Sequence, residues 1–213
     1  MTYKRKDTLY QRAKREGYRS RAAYKLLELQ RRTRLLRRGD AVVDLGAWPG
    51  GWLQVAAEIV GPTGRVLGID LAEIEALSAS QVSTLRADVT DAALPAQALS
   101  LLGREADAVL VDLAPKLTGV APRDEARAAE LADAAVRFAG AVLRTGGTVV
   151  LKTFGGAGAE AIRSTLQRGF AKVRMLALEA TRRESSERYL VGTGFGGRSP
   201  AIEERLAPEH GRE

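Results

Sequence analysis

The chain has 213 residues, of which 45% are hydrophobic, 28% charged and none cysteine, and it carries a formal net charge of +7. That length suits one compact domain, and the lack of cysteine excludes a disulfide framework, a thiolate metal site and a cysteine nucleophile. No apolar run is long enough to span a membrane and the N-terminus Met1-Thr2-Tyr3-Lys4-Arg5-Lys6 has no apolar core of a signal peptide, so a cytoplasmic protein is expected.

The charge is uneven. Residues 1–38 hold 14 Lys or Arg against 3 Asp or Glu, a local excess of +11, and the remaining 19 basic and 23 acidic residues leave −4. Three readings of this basic segment are open: a solubilising tail, a helix with a solvated face, and a surface for nucleic acid. Interleaved Tyr3, Tyr10, Tyr18 and Tyr24 favour the third, since arginine and aromatic side chains together bind phosphates and stack on unpaired bases.

Ser20 reads as the N-cap of a helix over about 20–32, with Ala22, Ala23, Leu26, Leu27 and Leu29 on its buried side. After Gly39-Asp40, strand-like runs at about 41–45, 65–70, 83–87, 107–112, 147–152, 170–178 and 188–195 alternate with helical stretches. This pattern requires a mostly parallel sheet covered by helices, an α/β fold. The clearest crossover helix runs from about 124 to 144, with Ala128, Leu131, Ala135, Phe138 and Val142 at helical spacing before Gly146-Gly147. The last two strands are too close for a helix between them and are expected to pair antiparallel. Residues 1–38 thus form a basic segment with a helix packed on the domain, 39–195 the domain itself, and 196–213 a loose tail. The single histidine, His210, lies in that tail, poorly placed for catalysis.

Ligands of open α/β sheets bind beyond the carboxyl ends of the parallel strands. The first five strands end in or run into Asp44, Asp70, Asp88, Asp112 and Lys152, a set that packing does not explain. The first strand leads into Gly46 and then Pro49-Gly50-Gly51 before a helix near Trp52, a turn that lets backbone approach a ligand closely. This turn has neither the dinucleotide fingerprint GxGxxG nor the phosphate loop GxxxxGK[ST]. With Asp70 placed to hold ribose hydroxyls and Asp88 to read an adenine amino group, the strand ends describe a nucleoside pocket.

Four segments in order, VVDLGAWPGGWLQ, VDLAP, VLKTFGG and SERYLVGTGF, with YQRAKREGYRSRAAYKLLELQ upstream, resemble the FtsJ-type ribosomal RNA 2'-O-methyltransferases over residues 10–195. The resemblance implies a Rossmann-like methyltransferase fold, a seven-stranded sheet whose last strand is antiparallel, with helices on both faces. It implies S-adenosyl-L-methionine as cofactor, bound by Gly50, Trp52, Asp70, Asp88 and Asp112, and no metal. It implies a catalytic set of Lys25, Asp112, Lys152 and Glu187. The expected acceptor is the 2'-hydroxyl of a uridine in the peptidyl-transferase region of large-subunit ribosomal RNA. A monomer with ribosomal RNA as its partner is expected, the basic segment docking the RNA backbone.

Trp48 stands where the family commonly has a small residue, and Lys116 where it tends to have Asn. For Trp48, packing under the loop and ligand contact are both open. From the residues alone Lys25 reads as an ordinary solvated lysine, and Glu184 competes with Glu187. Glu187 is preferred because it directly precedes the strand at Arg188-Tyr189-Leu190-Val191.

The chemistry suits these side chains. A ribose hydroxyl must lose its proton as the new bond forms, and a lysine accepts a proton only when neutral, against an ordinary pKa of about 10.4. Bringing it near 7 takes roughly 4 kcal/mol, which burial and a neighbouring cation such as Lys25 would supply to Lys152 as base. Asp112 and Glu187 oppose that shift and are assigned to orienting the ammonium groups. In the sheet order implied by the resemblance, the ends carrying Asp112, Lys152 and Glu187 lie within roughly 10 Å. The tetrapeptide [DN]PP[YF] of amino-methylating enzymes is replaced by Asp112-Leu113-Ala114-Pro115, which favours a ribose acceptor over a base nitrogen. Another RNA as acceptor, and a non-catalytic RNA-binding assembly protein of the same fold, are the alternatives.

Overall fold

The computed structural model describes residues 8–114, 118–119, 121–181 and 186–197. Tyr3, Lys116, Glu184, His210 and all of the tail beyond 197 lie outside them.

The strands are β1 (Ala41–Leu45), β2 (Arg65–Asp70), β3 (Val82–Arg86), β4 (Ala106–Val111), β5 (Leu143–Phe154), β6 (Phe170–Leu176) and β7 (Glu187–Phe195). They form one sheet in the order β3-β2-β1-β4-β5-β7-β6, with β1 to β5 parallel and β7 antiparallel to both β5 and β6. The expected antiparallel end of the sheet is therefore present. The helices are α1 (Thr8–Arg15), α2 (Ala23–Thr33), α3 (Gly51–Val60), α4 (Leu94–Leu102), α5 (Ala121–Val142) and α6 (Ala157–Gly169).

Two apolar layers flank the sheet. Leu94 of α4, Phe138 of α5 and Leu166 of α6 pack on Val43, Val109 and Leu151. On the opposite face Leu26 and Leu29 of α2 and Leu53 and Val55 of α3 pack on Val42, Leu110, Val150 and Val191. Leu26 and Leu29 are fully buried, and each contributes about 1.5–3 kcal/mol by leaving water. Packing, not an N-terminal side-chain cap, holds the start of α2.

Two local expectations differ from the structure. The N-cap position of α2 is Ala22, with no side-chain cap bond, and Ser20 lies before the helix against Gly51 of α3. The long helix ends at Val142, and Leu143 enters β5 directly, before Gly146-Gly147. The register shift between Ala106 and Ala108 absorbs this early start: Leu143 pairs with Ala106 and Thr148 with Ala108. The fully buried Leu143 draws the chain into the sheet ahead of the glycines.

Side chains alternate across a strand, so residues two apart share a face. Val42, Leu110, Val150 and Val191 face α2 and α3. Asp44, Asp112, Lys152 and Tyr189, each two residues away, are directed to that same side at the carboxyl edge of the parallel strands. Lys25 approaches from α2 above them.

Candidate active site

The loop from β1 to α3 and the loop after β2 are tied together at the sheet edge. The amides of Gly46 and Ala47 donate to the Ile69 carbonyl at 2.9 and 3.3 Å, and the Trp48 amide donates to Asp70 Oδ2 at 3.0 Å. Gly46 has φ +81°, and a Cβ there would stand 3.0 Å from the Leu113 amide nitrogen, so no side chain fits between this loop and the end of β4. Asp70 also accepts from the Ala72 amide at 2.8 Å. Asp88 is exposed and accepts from the amide and hydroxyl of Thr90, bonds that hold its carboxyl below the usual range.

Asp44 lies beneath this edge, fully buried, and among the described residues neither of its carboxylate oxygens has a hydrogen-bond partner. Burial pushes its pKa well above the ordinary value, and the nearby charges of Asp112 and Asp70 push it further. The edge between β1, β2 and β4 therefore gathers three carboxyl groups, of which the buried Asp44 has no hydrogen-bond partner among the described residues.

Beside it stand two ion pairs. Lys152 Nζ lies 3.0 Å from Asp112 Oδ1 and donates to the Asp112 carbonyl at 2.7 Å. Lys25 Nζ lies 2.8 Å from Glu187 Oε1 and 2.9 Å from Oε2, with both side chains 10% exposed. Glu187 also accepts from the Thr181 hydroxyl at 3.1 Å. Burial works to raise the Glu187 pKa, but the hydrogen bond and charge of Lys25, with the hydroxyls of Tyr189 and Thr181, outweigh it and hold the carboxyl below its ordinary value.

Tyr189 connects the pairs. Its hydroxyl lies 3.2 Å from Asp112 Oδ1 and 3.0 Å from Glu187 Oε1. Tyr189 pairs with Lys152 across the sheet, its ring centre is 5.9 Å from Lys25 Nζ, and it is fully buried. Burial, then the charges of Asp112 and Glu187, raise its pKa, so the phenol keeps its proton and donates it to the carboxylates.

The chain has relatives in sequence and in fold. Residues 18–195 match the family described as FtsJ-like methyltransferase. The chain belongs to that family. Among curated relatives, the ribosomal RNA large subunit methyltransferase E of Alkalilimnicola ehrlichii is 50% identical over 192 residues, covering 89% of this chain and 90% of that protein. The protein of the same name from Pseudomonas fluorescens is 42% identical over 194 residues, covering 91% and 92%. The crystal structure of a ribosomal RNA methyltransferase from Plasmodium falciparum superposes with a TM-score of 0.74 at 27% identity, covering 85% of this chain and all of that one. Aeropyrum pernix fibrillarin, solved with S-adenosyl-L-methionine, shares the fold at a TM-score of 0.57 and 18% identity over 80% of this chain and 76% of that one.

In this FtsJ-like methyltransferase Lys25, Asp112, Lys152 and Glu187 meet in one cluster, with Tyr189 as the member that the sequence reading missed. The signal was present: Tyr189 is two residues from Glu187 on the same strand face. Lys25 is buried, not solvated as its type suggests. Trp52 is buried too, its indole donating to the Ala22 carbonyl at 2.8 Å and its ring centre 6.0 Å from that of Tyr189. Trp48 is 59% exposed, which rules out packing under the loop.

Proposed function

We propose that this chain methylates the 2'-hydroxyl of a uridine ribose in large-subunit ribosomal RNA, using S-adenosyl-L-methionine, with Lys152 as general base. The names of its relatives support the substrate class. The observation that carries the chemistry is the pair of ion pairs, Lys152–Asp112 and Lys25–Glu187, bridged by Tyr189 beside the Asp44, Asp70 and Asp112 edge.

The residues fit the donor. S-adenosyl-L-methionine, when bound, supplies an electrophilic methyl group on a sulfonium and also carries an ammonium group. Asp70 and Asp112 offer negative charge to such a cation, and the orphaned Asp44 carboxyl beneath them offers unpartnered oxygens. Gly50, with φ +108°, forms the N-cap of α3 and brings the first-turn amides, Trp52 among them, to where they can donate to an anionic group. Asp70 is placed for ribose hydroxyls, and exposed Asp88 for a polar edge of the adenine.

The placing of its partners supports the base role of Lys152 in its deprotonated form. A neutral amine has two N–H groups and one lone pair. Asp112 accepts both N–H groups, through its carbonyl and its carboxylate, which leaves the lone pair for the acceptor hydroxyl. Lys25 and Glu187 orient the far side of the cluster through Tyr189. The basic segment 1–38 docks RNA backbone, supplying position while the cluster supplies chemistry. The chain acts as a monomer.

The test uses labelled S-adenosyl-L-methionine with free ribosomal RNA, isolated large subunits and whole ribosomes, followed by mass spectrometry of nuclease digests. Ribose methylation of one uridine is expected, and Lys152→Ala is expected to lower turnover by about 10²–10⁴-fold with donor affinity within about twofold. Methylation confined to a base, or a Lys152→Ala variant that turns over normally, refutes the reading.

A further inference from the structure

Arg19, in the segment between α1 and α2, fastens that segment to the loops on the donor side of the site. Arg19 Nη1 donates to the Pro49 carbonyl at 3.3 Å and the Glu75 carbonyl at 2.5 Å, and Nη2 donates to the Ala76 carbonyl at 2.7 Å. Its main-chain amide donates to Gln54 Oε1 at 2.8 Å, while Gln54 Nε2 donates to the Gly17 carbonyl at 2.9 Å. Pro49 belongs to the loop between β1 and α3. Glu75 and Ala76 belong to the loop that follows Asp70, where among the described residues 73–78 make no main-chain hydrogen bond. Arg19 therefore holds carbonyls that nothing else in that stretch holds.

Neighbouring contacts make the same seat. A Cβ at Gly51 would overlap Ser20 Oγ, so segment 17–22 lies flush on the first turn of α3. The Trp52 indole reaches across to the Ala22 carbonyl. A planar guanidinium bridges carbonyls from separate loops at fixed angles, which a single ammonium cannot do.

We infer that Arg19 is a positioning residue that staples the loops after β1 and β2 at the spacing the methyl donor requires. This inference rests on the donor pocket proposed above. Arg19 spends its terminal N–H groups on the protein's own carbonyls, so its charge is not a phosphate contact in the way the surrounding basic segment is. Because the same segment joins α1 to α2, seating it assembles the donor side of the site. Binding of RNA on the basic helices and binding of donor then reinforce each other, by equal factors in the two directions.

The experiment compares the full chain with Arg19→Met and Arg19→Lys. Donor affinity is measured by calorimetry with S-adenosyl-L-methionine, RNA affinity by anisotropy over a salt series, and steady-state kinetics at saturating RNA. In Arg19→Met the donor KM and dissociation constant are expected to rise about tenfold or more, with kcat at saturating donor within about threefold. Arg19→Lys, able to reach one carbonyl, falls between the two. RNA affinity without donor, and its salt slope, stay at the wild-type values, while the tightening of RNA binding by donor is lost. Unchanged donor affinity overturns the inference, as does weaker donor-free RNA binding with a salt slope reduced by about one phosphate contact. Wild-type protein that binds no donor instead refutes the pocket itself, a separate failure. Should Arg19→Met not fold, Gln54→Leu loosens the same seat from the other side and is expected to raise the donor dissociation constant by severalfold; no change there also overturns the inference.

Discussion

Replacing Lys25 by Met tests whether the buried ion pair holds the cluster together. Both side chains of the Lys25–Glu187 pair are 10% exposed, and removing one partner of such a pair costs about 3–5 kcal/mol. Glu187 keeps the hydroxyls of Tyr189 and Thr181, which places the loss near the lower end, about 3 kcal/mol. For a chain of this size that lowers Tm by roughly 6–12 °C. The pH dependence separates this cause from lost packing. In the wild type Glu187 titrates below its ordinary value in the fold, so its stabilisation is complete above the unfolded carboxyl pKa of about 4.3 and is lost as pH falls through the folded one. Without Lys25, burial is no longer outweighed. The folded pKa then lies above the unfolded one, and stability is lost as pH rises from about 4.3 instead. The Tm gap between wild type and variant should therefore widen from pH 4 towards neutrality and narrow further as pH falls through the folded Glu187 pKa, as followed by circular dichroism across that range. Lys25→Met with Glu187→Gln should recover at least half of the loss, because no uncompensated charge stays buried. A gap of equal size at pH 4 and pH 7 would refute the reasoning.

Asp44→Asn should raise stability at neutral pH and weaken donor binding. The folded carboxyl titrates above the unfolded one, so between about pH 4 and that raised value the wild type loses up to about 1.4 kcal/mol per pH unit that the variant keeps. Parallel Tm curves against pH would count against this account. Tyr189→Phe removes the proton shared by Asp112 and Glu187 and is expected to lower kcat about 10–100-fold with donor affinity within about twofold, read by single-turnover kinetics and calorimetry. Trp48→Ala should shift Tm by no more than about 1 °C, since its side chain is largely exposed. A larger drop would mean that the indole is packed in solution.

Much of this protein is legible in its sequence because the signals are periodic and local. Alternating apolar runs mark the seven strands, glycines mark the turn after β1, and ionisable residues stand at the strand ends. Asp44, Asp112 and Lys152 mark the charged sheet edge in the sequence alone. Boundaries were less secure where tertiary forces compete with local ones: Ser20 has the side chain of a cap but is drawn onto Gly51, and Leu143 is drawn into β5 past the end of its helix. What the sequence could not supply was long-range pairing. Lys25 and Glu187 are 162 residues apart, and nothing local distinguishes that lysine from its solvated neighbours. Only the packing of α2 on the sheet brings them within 2.9 Å, buries both, and lets Tyr189 join them to Asp112 and Lys152. Composition and periodicity determined which faces would be apolar and which edge would be charged. The tertiary structure decided which charges neutralise one another, because that depends on distances and burial that arise only when separate elements close on the same space.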